Sequence, residues 1–134
     1  MRGLIYKLLI LSFILCAGTS PIQAAEPAAT TSEKFCLSLI QIDNIDIMDK
    51  QNIVFKTVNG DYYLNKLPRA CSNLSRNNAI MYRTSLNQLC SLDIITVLDT
   101  IGGGFEQAGS CGLGKFKPIS KVEYEAMRKP PAEK

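Results

Sequence analysis

The chain has no histidine and no tryptophan. The first absence removes the side chain that titrates near neutral pH, the commonest metal ligand and the middle of every Ser-His-Asp triad. The second removes the favoured stacking platform for sugars and cations. Long apolar runs are also lacking. Leu8 to Ala17, ten residues, is about half of the roughly 20 that a membrane-spanning helix needs. No two cysteines have Cys-x-x-Cys spacing, which argues against a thioredoxin-like redox pair. Successive separations of 35, 19 and 21 from Cys36 onward do not suit a tetrahedral zinc set. Chemistry would have to rest on carboxylates, lysines or a free thiol, and no catalytic residue, metal or cofactor is expected.

What is present begins with a targeting pattern. Arg2 and Lys7 form a basic start, Leu8 to Ala17 an apolar centre, and Thr19, Ser20 and Pro21 interrupt it before the small pair Ala24-Ala25. That is the pattern of a signal peptide, residues 1–25, and implies a periplasmic or secreted protein. Cys16 follows Leu15 rather than Gly or Ala, so it reads as part of the apolar centre and not as a lipidation site. Without Arg2 and Lys7, the 15 basic residues become 13, against 12 acidic, a net charge of +1. A near-neutral mature chain has no electrostatic reason to bind nucleic acid, or a membrane once the signal is removed.

Cys36, Cys71, Cys90 and Cys111 then remain, an even count that implies two disulfides in one small exported domain. Four cysteines allow three pairings. A barrel that brings its first and last strands together predicts Cys36–Cys111, and Cys71–Cys90 across a doubling-back near Leu86-Asn87-Gln88.

The 134 residues allow one domain. Residues 26–34 (EPAATTSEK) read as a loose linker. The β domain spans 35–118. Phe35 to Ile42 is a first strand that continues, bent, through Ile45 to Met48. Ile53 to Val58 and Asp61 to Asn65 flank Asn59-Gly60, which predicts a type I′ hairpin turn. Cys71 to Asn78 is polar and turn-rich, with room for one helical turn, and Ala79 to Arg83 is a strand. Asp93 to Leu98 is almost wholly β-branched or apolar and reads as a central strand buried on both faces. Ile101 to Gly109 reads as a mobile glycine-rich loop, and Ser110 to Phe116 as the last strand. In the tail, 119–134, Ser120 and Glu123 match a capping box for a short helix over Val122 to Lys129, which Pro130-Pro131 stops. The expected fold is mainly β: an antiparallel barrel or sandwich of five to six strands, stapled by disulfides, with a short C-terminal helix.

Four patterns invite a chemical reading. Asp43, Asp46 and Asp49 recur at spacing three, which lacks the register of a calcium loop and reads as solvated turn and edge residues. Gly109 to Lys115 matches seven positions of a phosphate-binding loop, but Phe116 stands where Ser or Thr should hold magnesium. Asn73-Leu74-Ser75 is a glycosylation sequon, meaningful only in a eukaryote. Phe55, Tyr62, Tyr63 and Tyr82 could line a groove, though core packing is the commoner use of such residues. Among carboxylates Asp93 is the first to test, with turn capping as its plainer role.

Cys36, Ile53-x-Phe55, Tyr63-x-Asn65-x-Leu67, Cys71-x-x-Leu74, Tyr82, Leu89-Cys90-x-x-Asp93-x-Ile95-x-Val97 and Gly109-x-Cys111-x-Leu113-Gly114-x-Phe116 together resemble a family of small exported proteobacterial proteins classed as a domain of unknown function. The resemblance covers Cys36 to Pro118. It implies a bacterial periplasm and brings no activity or catalytic residue. The expected function is a non-enzymatic binding or accessory module for an envelope protein or small ligand, such as an inhibitor of a secreted hydrolase. The alternative is a glycan-processing enzyme that works with carboxylates.

Overall fold

Short runs of β-branched and aromatic residues, divided by Gly, Asn, Asp and Pro, set strands at close intervals. A computed structural model describes residues 32–129. The expected signal peptide, most of the linker and the Pro130-Pro131 stop lie outside the described residues. Among the described residues nine strands and one helix form, the strands being β1 (Cys36–Ser38), β2 (Ile42–Ile47), β3 (Asn52–Thr57), β4 (Tyr62–Lys66), β5 (Ala79–Tyr82), β6 (Gln88–Cys90), β7 (Ile94–Ile101), β8 (Gly104–Gly112) and β9 (Phe116–Ile119). The helix, α1 (Lys121–Arg128), closes the domain.

The strands form two main antiparallel sheets, β2-β3-β4-β9 and β5-β7-β8, with a small β1-β6 ladder. Lys34 bridges Phe116 and sets the chain entering β1 beside β9. The fold is mainly β as expected, but the sheets do not close into a barrel. More strands form than the five or six expected, because residues that read as loops pair. The bent first strand is two strands joined by a 3-10 turn at Leu39–Gln41.

The core lies between the sheets. Ile53, Phe55, Tyr63, Leu67 and Phe116 from one side meet Ile95 and Val97 from the other, with Leu37, Leu74, Leu89 and Leu113 closing the margins. Phe55 and Phe116 pack edge to face at 5.2 Å, the arrangement that the ring quadrupoles favour. On the far face of the first sheet, α1 buries Tyr124 against Met48 and Val54. The capping box forms: Glu123 N–H donates to Ser120 Oγ at 3.2 Å, and Ser120 N–H to Glu123 Oε2 at 2.8 Å.

Eight residues do not make a persistent helix unaided, so tertiary contacts hold α1 down. The Tyr124 ring stacks on Tyr62 at 4.5 Å, and its hydroxyl donates to Asp46 at 2.7 Å. Burial, then the Asp46 carboxylate, raises the tyrosine pKa above its ordinary value. At the other end Arg76 donates to the carbonyls of Met48, Met127 and Arg128 at 3.0, 3.0 and 3.1 Å. Two of these belong to the unpaired carbonyls of the last helical turn, where a cation is favoured. Arg76→Ala is therefore expected to cost about 2 kcal/mol, with amide exchange accelerating in α1 and not in β3 or β4. Unchanged protection of α1 would contradict this role.

The turns correct two expectations. Gly60 N–H donates to Thr57 carbonyl and Thr57 N–H to Asp61 carbonyl, both at 2.9 Å. The hairpin therefore has a three-residue loop with Gly60 at φ +88°, not a two-residue type I′ turn. The I′-type turn occurs instead at Gly102-Gly103, φ +67° and +86°, where Ile101 pairs Gly104. The expected mobile loop is thus an ordered β7–β8 hairpin, because two adjacent glycines supply both positive φ values at least cost.

Both disulfides form, but the pairing is Cys36–Cys90 and Cys71–Cys111. The expected pairing, Cys36–Cys111 with Cys71–Cys90, assumed a closed barrel. Instead β1 pairs with β6 in a register that sets Cys36 directly opposite Cys90. Cys71, in the loop after β4, meets Cys111 at the end of β8 and ties the two sheets together.

Candidate functional site

The expectation for β7 fails on one face, and that failure locates the site. Residues directly opposite on paired strands share a sheet face. By register, Ile95 and Val97 share the inner face with Ile80, Tyr82 and Cys111, while Ile94, Thr96, Leu98 and Thr100 point outward. Their partners complete the outer face: Ala79 and Met81 from β5, and Phe105, Gln107, Ser110 and Gly112 from β8. None of these ten residues carries a charge. Six of them are exposed, Ile94 at 64% and Phe105 at 70%, while Ala79, Met81, Thr96 and Leu98 are half-buried and none of the ten is in the core. The strand has the composition of one covered on both faces, and only one is covered.

The margins of this face are also unusual. Leu92, 79% exposed, sits at φ +78° in the turn from Cys90 to Asp93. This is a glycine position, and an L-residue there costs on the order of 1 kcal/mol. A shallow hollow of about 440 Å³ adjoins it, lined by Met81, Arg83, Leu92, Asp93, Ile94 and Thr96. On the β8 side a second hollow of about 340 Å³ is lined by Pro68, Arg69, Ala70, Ser110, Cys111 and Gly112. Arg69 and Arg83 are exposed, and neither forms an ion pair among the described residues. The site is thus a flat uncharged strip between two arginines.

The residues singled out from sequence do not assemble around one centre. Asp93 Oδ2 accepts the Cys90 N–H at 2.7 Å, the plainer, turn-capping role, and the hollow beside it holds no second carboxyl. Asp43 pairs with Lys56 at 3.0 Å, and Asp46 accepts from Tyr124. Asp49 accepts from Gln51 N–H and from the backbone and side chain of Asn52. Burial opposes ionisation of Asp49, but these bonds and the Arg76 charge outweigh it and hold its pKa below the ordinary 3.8. Each aspartate is occupied locally, and no cluster of metal-binding groups forms among the described residues.

Gly109 to Gly112 ends β8 and Gly114 lies in the link to β9, so the phosphate-loop match opens no helix. Asn73 donates to the Ala108 carbonyl. The aromatics do not share a groove: Phe55 and Tyr63 are core, Tyr62 faces α1, and Tyr82 packs against the core from β5. Leu92 and the outer face escaped the sequence reading. The alternation of Ile94, Thr96, Leu98 and Thr100 was the available signal, hidden by the apolar Ile95 and Val97 among them.

Two disulfides place the folded chain in an oxidising environment. No helix among the described residues is long and apolar enough to cross a membrane. No protein-family model, curated protein or solved structure matches the chain.

Proposed function

We propose that this is an exported, periplasmic or secreted, non-enzymatic binding module whose contact surface is the outer face of β5-β7-β8. The observation that supports this most directly is the uncovered face of β7, with exposed apolar residues where solvated strands carry charge. The partner is a protein. The face is flat rather than a pocket for a small ligand, and arginines beside an apolar centre are typical of protein contacts. An inhibitor of a secreted hydrolase is a narrower form of the same reading. The ordered β7–β8 hairpin, with Phe105 near its tip, would lose less entropy on insertion than a floppy loop.

Leu92→Gly tests the reading, since it removes the side chain and relieves the backbone. Stability should hold or rise by up to about 1 kcal/mol. A photo-crosslinker at Thr96, in cells of the source organism, should give one defined adduct that Leu92→Gly and Ile94→Glu abolish. A crosslinker at Val122, on α1, should give none. An adduct that persists in both variants, or forms equally from Val122, would refute the assignment.

A further inference from the structure

The two disulfides differ in what surrounds their sulfurs. Cys36 and Cys90 are both half-buried, on a ladder of only three residue pairs. Cys71 is 3% exposed within the core, while its partner Cys111 borders the Arg69 hollow. Exchange needs a line of approach to one sulfur and a leaving thiolate that the surroundings can stabilise. Leu37 and Leu89, next in register, take the core face, so Cys36 and Cys90 lie on the opposite face of the ladder, away from the core, where either can be attacked and either can leave toward water. Attack on Cys111 would expel the Cys71 thiolate into apolar packing, which disfavours the charged form.

We propose that Cys36–Cys90 is a redox-responsive crosslink that a dithiol can open and close in the folded protein, while Cys71–Cys111 is permanent. The co-reactant is a dithiol, either a small molecule or a Cys-x-x-Cys protein. Its first thiolate attacks one sulfur of the pair, forms a mixed disulfide and expels the other cysteine as a thiolate, which takes up a proton. Its second thiolate then attacks the mixed disulfide and releases the remaining cysteine, which is protonated in turn. The dithiol becomes a disulfide, and Cys36–Cys90 gains two electrons and two protons.

The structural consequence falls next to Leu92. Cys90 opens the turn that carries this residue, through its carbonyl bond to Asp93 N–H at 3.1 Å and its own N–H to the Asp93 carboxylate. The crosslink anchors that turn to β1, with support from Ser91 N–H to Phe35 carbonyl at 2.6 Å. Opening it should loosen β6 and the turn while Cys71–Cys111 keeps the sheets together.

The test is graded reduction of the native oxidised protein with dithiothreitol, followed by rapid alkylation and peptide mass spectrometry. Cys36 and Cys90 should be labelled at least about tenfold faster than Cys71 and Cys111. In denaturant the two rates should converge. Amide exchange of the partly reduced protein should then show protection lost from Gln88 to Asp93 and kept in β3 and β4. Reduction of both pairs at one rate in the native protein, or of Cys71–Cys111 first, would overturn the proposal. So would selective reduction that leaves the turn fully protected.

Discussion

Complete reduction is expected to lower the melting temperature by tens of degrees and leave the chain largely unfolded at physiological temperature. The bridges span sequence separations of 54 and 40 residues. Chain-entropy arguments assign loops of that size about 4 kcal/mol each. Domains of this kind have total stabilities of about 5–15 kcal/mol, so losing both removes most of the margin. Each kcal/mol shifts the midpoint of a domain near 100 residues by roughly 4–8 °C. Two thermal melts followed by circular dichroism, with and without excess phosphine reductant, measure this. A shift under about 10 °C would show that the hydrophobic core alone carries the fold.

The second large effect is expected at Gly114. A Cβ there would lie 2.1 Å from the Lys66 carbonyl oxygen and 3.1 Å from its carbon, which is backbone that cannot swing aside. Glycine is required because β4 passes this close, not because of its dihedral angles. The approach is held by a reciprocal pair: Asn65 Nδ2 donates to Gly114 carbonyl and Gly114 N–H donates to Asn65 Oδ1, both at 2.8 Å. Asn65 is fully buried. Gly114→Ala must push the link between β8 and β9 away from β4 and is expected to cost about 3 kcal/mol or more.

Asn65→Ala leaves a buried donor and a buried acceptor without partners, at about 1–3 kcal/mol each. Because both changes break one junction, the double variant should cost much less than the two singles combined. Urea denaturation of the three variants provides the check. Additive losses, or a Gly114→Ala variant as stable as the parent, would contradict the geometry.

The legible parts of this protein were those decided by neighbouring residues. The hairpin around Gly60 and the capping box at Ser120 and Glu123 follow from local backbone demands, and both formed. The number of disulfides was legible from the four cysteines that remain once Cys16 is assigned to the expected signal peptide. The β7–β8 hairpin was missed because Gly102-Gly103-Gly104 fits a flexible loop as well as a tight turn, and only the pairing of Phe105 with Thr100 separates the two. The face of β7 was misread because composition reports how apolar a strand is, not how many of its sides find a neighbour.

The sequence by itself determined a mainly β domain with two crosslinks, no histidine chemistry and a short capped helix. These depend on residue type and on contacts a few positions apart. Tertiary structure alone decided which cysteines meet, why Gly114 must be glycine, and that Ile94, Thr96 and Phe105 face outward. Those outcomes depend on strand order and on which sheet lies across the core. Strand order is set by long-range packing summed over the whole chain, and no local window of sequence contains that sum.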